Sequence, residues 1–316
     1  MRKSAVLLIT LLILGATSFL WWQNGTSAVD KNNKSQVTFV VGKGEGVREI
    51  ANSLKKEGLI KDPTAFFLLV RFGLNLDNKI QAGDHRLSPS MNATETAKAL
   101  TTASNDIWIT VPEGQRAQEI ADNLQKEIPS YQESWRIKLE ANEGYLFPDT
   151  YLIPKTADIN LILTLFKNNF KNKYSTITTS KDQNEIVTVA SLVEREAKHA
   201  EDRPLVASVI YNRLNMGMKL DIDATVQYVL GYQKDEKRWW KKNLTLDDIK
   251  INSPYNTYRN AGLPPTPISN PGVASLQAAA NPAKTNYLYY ISDKSGVNHY
   301  AETIDQHNAN IRKYGL

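Results

Sequence analysis

The pattern of apolar and polar positions divides the chain into three stretches. Residues 5–22, AVLLITLLILGATSFLWW, are apolar on every side; 23–36 are polar and rich in Asn, Ser, Lys and Gly. From Val37, short β-branched runs alternate with stripes of helical period. TFVV at 38–41 predicts a strand, closed by the turn GKGEG. In VREIANSLKKEGLI, Val47, Ile50, Ala51 and Leu54 share one helical face and Gly58 ends it. DPTAFFLLVRFGL predicts the next helix, with Asp62 as cap and Pro63 at its first position. DHRLS predicts a strand and ATETAKALTTA a helix. Val41, Gly44, Glu49, Ile50, Ala51 and Leu54 then recur as Val111, Gly114, Glu119, Ile120, Ala121 and Leu124, so strand, glycine turn and helix are written twice.

A helical stretch around Tyr131 to Glu143 leads to EGYLFPDTYLIP (143–154), whose aromatics and prolines predict a stiff loop or edge strand. In 184–198, Ile186, Val189, Ala190, Val193 and Ala197 form one apolar helical stripe, with Glu194 and Glu196 on its two flanks. LVASVIYNRL predicts a helix closed by Asn212 and Arg213. KDEKRWWKK (234–242) reads as an exposed excursion, because so many charges around two tryptophans rarely form a core. SPYNTYRNAGLPPTPISNPG (253–272) carries too many prolines for a helix or central strand and predicts a long ordered loop. VASLQAAANP then predicts a helix and NYLYYIS a strand before the final HYAETIDQHN.

The apolar run at 5–22 would make a helix of about 27 Å, nearly the roughly 30 Å of a hydrocarbon core. Arg2 and Lys3 precede it and Trp21 and Trp22 close it, which predicts a transmembrane helix with a cytoplasmic N-terminus. A cleaved signal peptide fits less well, since bulky Phe19 to Trp22 follow small Gly15, Ala16 and Ser18 without an A-x-A site. The expected division is a cytoplasmic tip at 1–4, the membrane helix at 5–22, a linker at 23–36, a small α+β region at 37–105, a second small α/β module or connector at 106–140, and a main domain at 141–316. The expected location is the cytoplasmic (inner) membrane, single-pass, with the body periplasmic or otherwise extracytoplasmic. The absence of cysteine excludes disulfides, thiolate metal sites and a cysteine nucleophile. A formal charge of +5, with both signs interspersed, gives no basic face for nucleic acid.

Chemistry points first to the helix at 184–198. A carboxylate flanking a buried stripe is where desolvation raises a pKa, as a general acid requires, but the periodicity does not choose between Glu194 and Glu196. Tyr145 and Asp149, and Tyr255, Asn256 and Tyr258, combine rings for stacking on sugar faces with groups that bond hydroxyls. A zinc hydrolase using Glu196 and His199, with His299 or His307, lacks HExxH or its inverse. A non-enzymatic scaffold that holds glycan through the repeated modules is the other reading.

EGYLFPDTY (143–151), VASLVEREA (189–197), ASVIYNRLNMGMKLDIDATVQY (207–228), SPYNTYRNAGLPPTPISNPG, LQAAANPAKTNYLYYI (276–291) and HYAETIDQHN (299–308) together resemble the YceG-like family of endolytic murein transglycosylases, the MltG family. The resemblance covers the body after residue 140 and implies an α+β lytic-transglycosylase catalytic domain behind a LysM-like region. It places the catalytic glutamate on Glu196, with Ala197 where the family commonly has a hydroxyl residue. Sugar binding is implied for Glu143, Tyr145, Asp149, Asn212, Asp223, Thr225, Tyr255, Asn256 and Tyr258, and a structural role for Glu194 and for Arg213, the latter paired with Asp223. The implied partners are peptidoglycan glycan strands, the cytoplasmic membrane and cell-wall synthesis proteins, with neither cofactor nor metal.

Overall fold

The computed structural model describes residues 2–102 and 106–314. Its internal contacts separate two units, Met1–Trp108 with Leu152–Thr156, and Ile109–Tyr151 with Ala157–Leu316.

The first unit begins with helix α1 (Arg2–Thr26), followed by β1 (Val37–Val41), α2 (Val47–Lys56), α3 (Pro63–Leu68), β2 (Gly83–Leu87) and α4 (Ala93–Ala99). β1 and β2 pair antiparallel, Val37 opposite Leu87 and Val41 opposite Gly83, and their alternation turns Phe39, Val41 and Leu87 into a core completed by Ile50, Leu54, Phe66 and Leu100. Local chemistry sets the helix starts. The Glu49 carboxylate accepts from the Gly46 N–H (3.0 Å), Asp62 Oδ1 accepts from the Thr64 and Ala65 N–H groups, and Asn92 and Glu95 cap each other reciprocally.

The transmembrane expectation for 5–22 fails here. α1 spans that run, yet no helix among the described residues is long and apolar enough to cross a membrane, and the single-pass inner-membrane topology drawn from it falls with it. The aromatic end that read as an interfacial belt touches protein through its two tryptophans, although Trp21 keeps exposed surface. Trp21 Nε1 donates to Asp62 Oδ2 (3.0 Å), Trp22 packs on the first core, and Gly25 lies so close to Ala65 that an added Cβ would come within 2.9 Å of its side chain. The polar segment that follows is also tied down, with the Asp30 N–H on the Pro89 carbonyl and the Ser88 hydroxyl on the Asn33 carbonyl.

The chain continues through β3 (Asp106–Thr110), α5 (Ala117–Glu127), α6 (Ser134–Glu140) and β4 (Thr150–Pro154), with β3 and β4 forming a two-stranded sheet. Then follow α7 (Ile159–Tyr174), α8 (Gln183–Glu196), α9 (Arg203–Asn215), α10 (Asp223–Leu230), α11 (Val273–Ala280), the antiparallel hairpin β5 (Tyr289–Ser292) and β6 (Asn298–Ala301), and α12 (Ile304–Tyr314). α8 is the axis of the second unit. Every residue from Ile186 to Val193 is buried, because α9, α10 and α11 all pack against it; the helix is central rather than striped. Asp182 caps it by accepting from the Asn184 and Glu185 N–H groups.

The proline-rich segment 253–272 is a strap, buried at Asn256, Thr257 and 267–272 and largely exposed between. The Ser191 hydroxyl accepts from the Ile268 N–H and the Ser191 carbonyl from the Ser269 hydroxyl, while Asn270, fully buried, exchanges backbone bonds with Gly114 and Gln115 and accepts from the Leu146 N–H. Gly144 permits this approach: it has φ +88°, and a Cβ there would lie 2.5 Å from Pro267. In the expected excursion at 234–242, residues 234–238 are exposed, but the two tryptophans turn inward. Trp239 and Trp240 donate to Asp122 and Glu119, and the Arg195 guanidinium lies 3.9 Å from the Trp240 ring centroid. Arg116, Arg195, Asp122 and Glu119, all from outside this segment, supply the cation–π and hydrogen-bond partners that make burial of the indoles tolerable.

Candidate active site

Glu196 is the last residue of α8, where the central helix emerges from the core at the wall of a cleft of about 470 Å³. Facing it in the same cleft are Asp223, the first residue of α10, Tyr258 from the strap, Tyr290 from β5 and His307 from α12. Tyr290 donates to Glu196 Oε2 (2.7 Å) and Tyr258 donates to Asp223 Oδ1 (2.6 Å), so each carboxylate is held by one phenol. Burial raises the Glu196 pKa; the Tyr290 bond opposes this, the charge of Asp223 adds to it, and Arg195 again opposes it. Burial and the Asp223 bond likewise raise Tyr258, and burial with Glu196 raises Tyr290, so both phenols stay protonated donors at neutral pH.

Glu194, on the other flank of α8, faces away from the cleft. It accepts from the Gly272 N–H at the start of α11 (3.0 Å) and pairs with Arg203 at 3.4 Å. The choice that periodicity left open is thus separated by geometry: one glutamate fastens helices and the other meets open space. Ala197 lies buried in the core at the helix end, so its position offers Glu196 no hydroxyl.

Of the residues expected to bind sugar, the structure brings Asp223 and Tyr258 to Glu196 and spreads the rest through the scaffold. Asn256, fully buried, donates to the carbonyls of Ile249 and Ile251 and accepts from the Tyr258 N–H; it fixes the strap so that Tyr258 points into the cleft. Thr225 bonds Thr257 beneath the start of α10, and Tyr255 turns toward Thr266 and the ring of Tyr228. Asn212 donates to the Thr285 and Tyr287 carbonyls at 2.9 Å each, holding the approach to β5. Tyr145 donates to Asn184 at the first turn of α8, and Asp149 accepts from Asn169. Glu143 is buried and accepts from the Ala117 N–H, the Asn270 amide and the Tyr228 hydroxyl.

Arg213 lines the cleft, but its ionic partner is Asp221 (3.4 Å), not Asp223. Its other bonds go to the carbonyls of Lys219, Leu220 and Leu288, so it ties the turn before α10 to β5. Asp221 has φ +51°, and that left-handed turn presents its carboxylate to the guanidinium while Asp223 starts the next helix.

Sequence reasoning missed Tyr290 and His307 as cleft residues. A signal existed for the first: Tyr289 and Tyr290 are adjacent in a strand near the end of the chain, so at least one of their rings must face the body. Tyr289 stacks on His307 with ring centroids 5.2 Å apart, and both rings also line the cleft.

The chain belongs to the YceG-like family, whose model fits residues 39–313. The endolytic murein transglycosylase of Bacillus subtilis (strain 168) is 33% identical over 96% of this chain and 91% of that protein. That of Streptococcus pneumoniae (strain D39) is 29% identical over 97% of this chain, which spans only 64% of the pneumococcal protein. Among solved structures, a yceG-like protein of Listeria monocytogenes superposes with a TM-score of 0.55 at 28% identity, covering 87% of this chain and 99% of that one.

Proposed function

We propose that this protein is a peptidoglycan-cleaving enzyme, an endolytic lytic transglycosylase that cuts the β-1,4 bond from N-acetylmuramic acid to N-acetylglucosamine within a glycan strand. The observation that carries the reading is Glu196, its pKa raised, at the wall of a cleft in a chain whose relatives are named endolytic murein transglycosylases. Protonated Glu196 donates to the glycosidic oxygen as the C1–O bond breaks and frees the 4-hydroxyl of the departing N-acetylglucosamine. The resulting carboxylate then takes the proton of the muramic 6-hydroxyl as that oxygen bonds to C1. Glu196 returns to its starting state, no water is consumed, and the new end is a 1,6-anhydro sugar. Asp223, oriented by Tyr258, supplies negative charge to the oxocarbenium-like centre.

Mass analysis of purified peptidoglycan digested by the full chain tests this. Fragments ending in anhydromuramic acid, one water lighter than hydrolysis products, are expected. Ordinary reducing ends would instead make Asp223 the second carboxylate of a hydrolase.

The acid step sets the pH dependence. Cleavage requires the protonated form of Glu196, so activity falls as pH rises through its raised pKa. Asp223→Asn removes a like charge, lowers that pKa and moves the alkaline limb of the pH–rate profile to lower pH, with a loss of roughly ten- to hundredfold at the optimum. Tyr290→Phe removes a bond that favours the charged form and moves the same limb to higher pH. Limbs that shift together, or not at all, would refute the assignment of the limb to Glu196.

A further inference from the structure

The triplet Glu194, Arg195, Glu196 at the end of α8 sends its side chains three ways, because successive helical residues point about 100° apart. Glu194 goes to the start of α11 and to Arg203, Glu196 to the cleft, and Arg195 to Trp240. The Arg195 guanidinium lies 3.9 Å from the Trp240 ring centroid; its Nη1 reaches the Gly114 carbonyl at 3.4 Å, and its Nε–H is buried without an acceptor. Among the described residues it forms no ion pair. A cation so placed keeps its charge uncancelled, and the fold goes to some length to seat it. Gly114 has φ +76°, and a Cβ there would stand 3.3 Å from Arg195 Nη1, whereas the matching Gly44 of the first strand–glycine–helix copy has open space around it. Glu119, which caps α5 as Glu49 caps α2, also accepts from the Trp240 indole N–H at 2.9 Å, and Gln227 holds the adjoining Lys241 carbonyl at 2.8 Å. The glycine turn of the second copy and the tryptophan loop thus converge on one side chain, the neighbour of Glu196.

We propose that the Arg195–Trp240 stack positions Glu196 for proton transfer: it fixes the last turn of α8 and keeps an unpaired positive charge near the carboxyl group, which steadies the carboxylate formed when the proton leaves. The inference rests on the transglycosylase reading for the reaction it serves. A carboxylate bonded directly to an arginine would stay ionised and could not act as an acid. A cation on the adjacent residue, turned toward an indole, acts through space and leaves the carboxyl group free to meet the sugar. Burial and the charge of Asp223 raise the Glu196 pKa, while the Tyr290 bond and Arg195 pull it down, so the same carboxyl group can serve as acid and then as base. The other charged or titratable groups that share the cleft with Glu196 are Arg213, Asp221, Tyr258, Tyr289 and His307, and those around Arg195 are Glu119, Glu194 and Arg238; all stay in place in the variants that follow.

The test titrates Glu196 without turnover. The full chain is labelled with carbon-13 at the glutamate carboxyls, the Glu196 signal is assigned by its loss in Glu196→Gln, and its midpoint is followed in Arg195→Gln, Arg195→Lys and Trp240→Leu. Arg195→Gln is expected to raise the midpoint by about one pH unit, and to lower kcat on soluble glycan strands about tenfold with KM within about twofold. Arg195→Lys keeps the charge and is expected to hold both midpoint and rate near wild type. Trp240→Leu removes the platform and shifts the midpoint in the same direction as Arg195→Gln, by less; should it fail to fold, the two Arg195 variants decide alone. A midpoint that stays put in Arg195→Gln, or moves equally in Arg195→Lys, overturns the proposal, since Arg195 would then only pack. Wild-type product analysis keeps the two readings apart. A midpoint that depends on the charge at 195 in an enzyme that makes no anhydro ends retains the hold of Arg195 on Glu196 and removes the reaction. Anhydro products with an unmoved midpoint retain the reaction and remove the role of Arg195.

Discussion

Glu196→Gln is expected to lower peptidoglycan cleavage by roughly a thousandfold or more while leaving the thermal transition in place. The amide fills the same volume and its carbonyl oxygen still accepts from Tyr290, so the end of α8 keeps its bond. What is lost is a transferable proton. In the proposed cycle one carboxyl serves twice, first as acid to the leaving oxygen and then as base to the 6-hydroxyl, and a single positioned proton-transfer group is worth about 10²–10⁴ in rate. Since Glu196 serves both steps, the loss lies toward the upper part of that range. The assay is the release of anhydro-ended fragments from purified sacculi, with a parallel melt to verify folding. A variant that keeps a tenth of the wild-type rate would remove Glu196 from the chemistry and send attention to Asp223, the other carboxylate of the cleft. Glu194→Gln gives the contrasting result: its carboxylate touches the Gly272 N–H and Arg203, so the expected damage is to stability, with catalysis lost only as the fold is.

Most helices were legible: α2, α3, α4, α8, α9 and α11 lie where their patterns put them. The strand–glycine–helix repeat is equally visible in space, Gly44 and Gly114 both having positive φ and Glu49 and Glu119 each accepting from a backbone N–H three residues earlier. What sequence misjudged was the partner of a side chain, not its conformation. The apolar α1 read as a lipid-facing helix because its length and flanks satisfy that pattern, and nothing local reveals that Trp21 is held by Asp62, forty-one residues away. Trp239 and Trp240 read as exposed because charge counts average over a window, whereas Arg116 and Arg195 bury these rings by stacking on them. Asn256 looked like a ligand-binding amide, and both its N–H groups are spent on the Ile249 and Ile251 carbonyls while its oxygen accepts from the Tyr258 N–H. The family resemblance pointed to Glu196, which lines a cleft, but which polar neighbours share that cleft was decided by helix starts and strand faces that only the assembled fold fixes.

Glu143→Ala is expected to destabilise the second unit by about 3–5 kcal/mol, the range for removing one member of a buried charged network. On domains of this size that corresponds to a fall of roughly 6–20 °C in the melting temperature. Both oxygens of Glu143 accept from the Ala117 N–H at the start of α5, one also from Asn270 in the strap and the other from Tyr228 on α10. Truncation strands these donors, and it takes from Arg116, buried among the rings of Tyr228, Trp239 and Trp240, one of the carboxylates whose charge supports it, leaving Glu119 and Glu140. The damage is expected to spread to the cleft, because Tyr228 belongs to the helix that begins with Asp223; amide exchange should quicken first at Ala117 and along α10. Burial pushes the Glu143 pKa up to about 7, against the pull of the Ala117 N–H, Arg116 and Tyr228. An acid whose pKa is raised by folding gives stability that is full below its unfolded pKa and is lost as pH rises through about 7. The gap between wild type and Glu143→Ala should therefore be wider at pH 5 than at pH 8. A gap that widens with rising pH would mean that Glu143 is held as a carboxylate by its donors and that burial is the weaker effect.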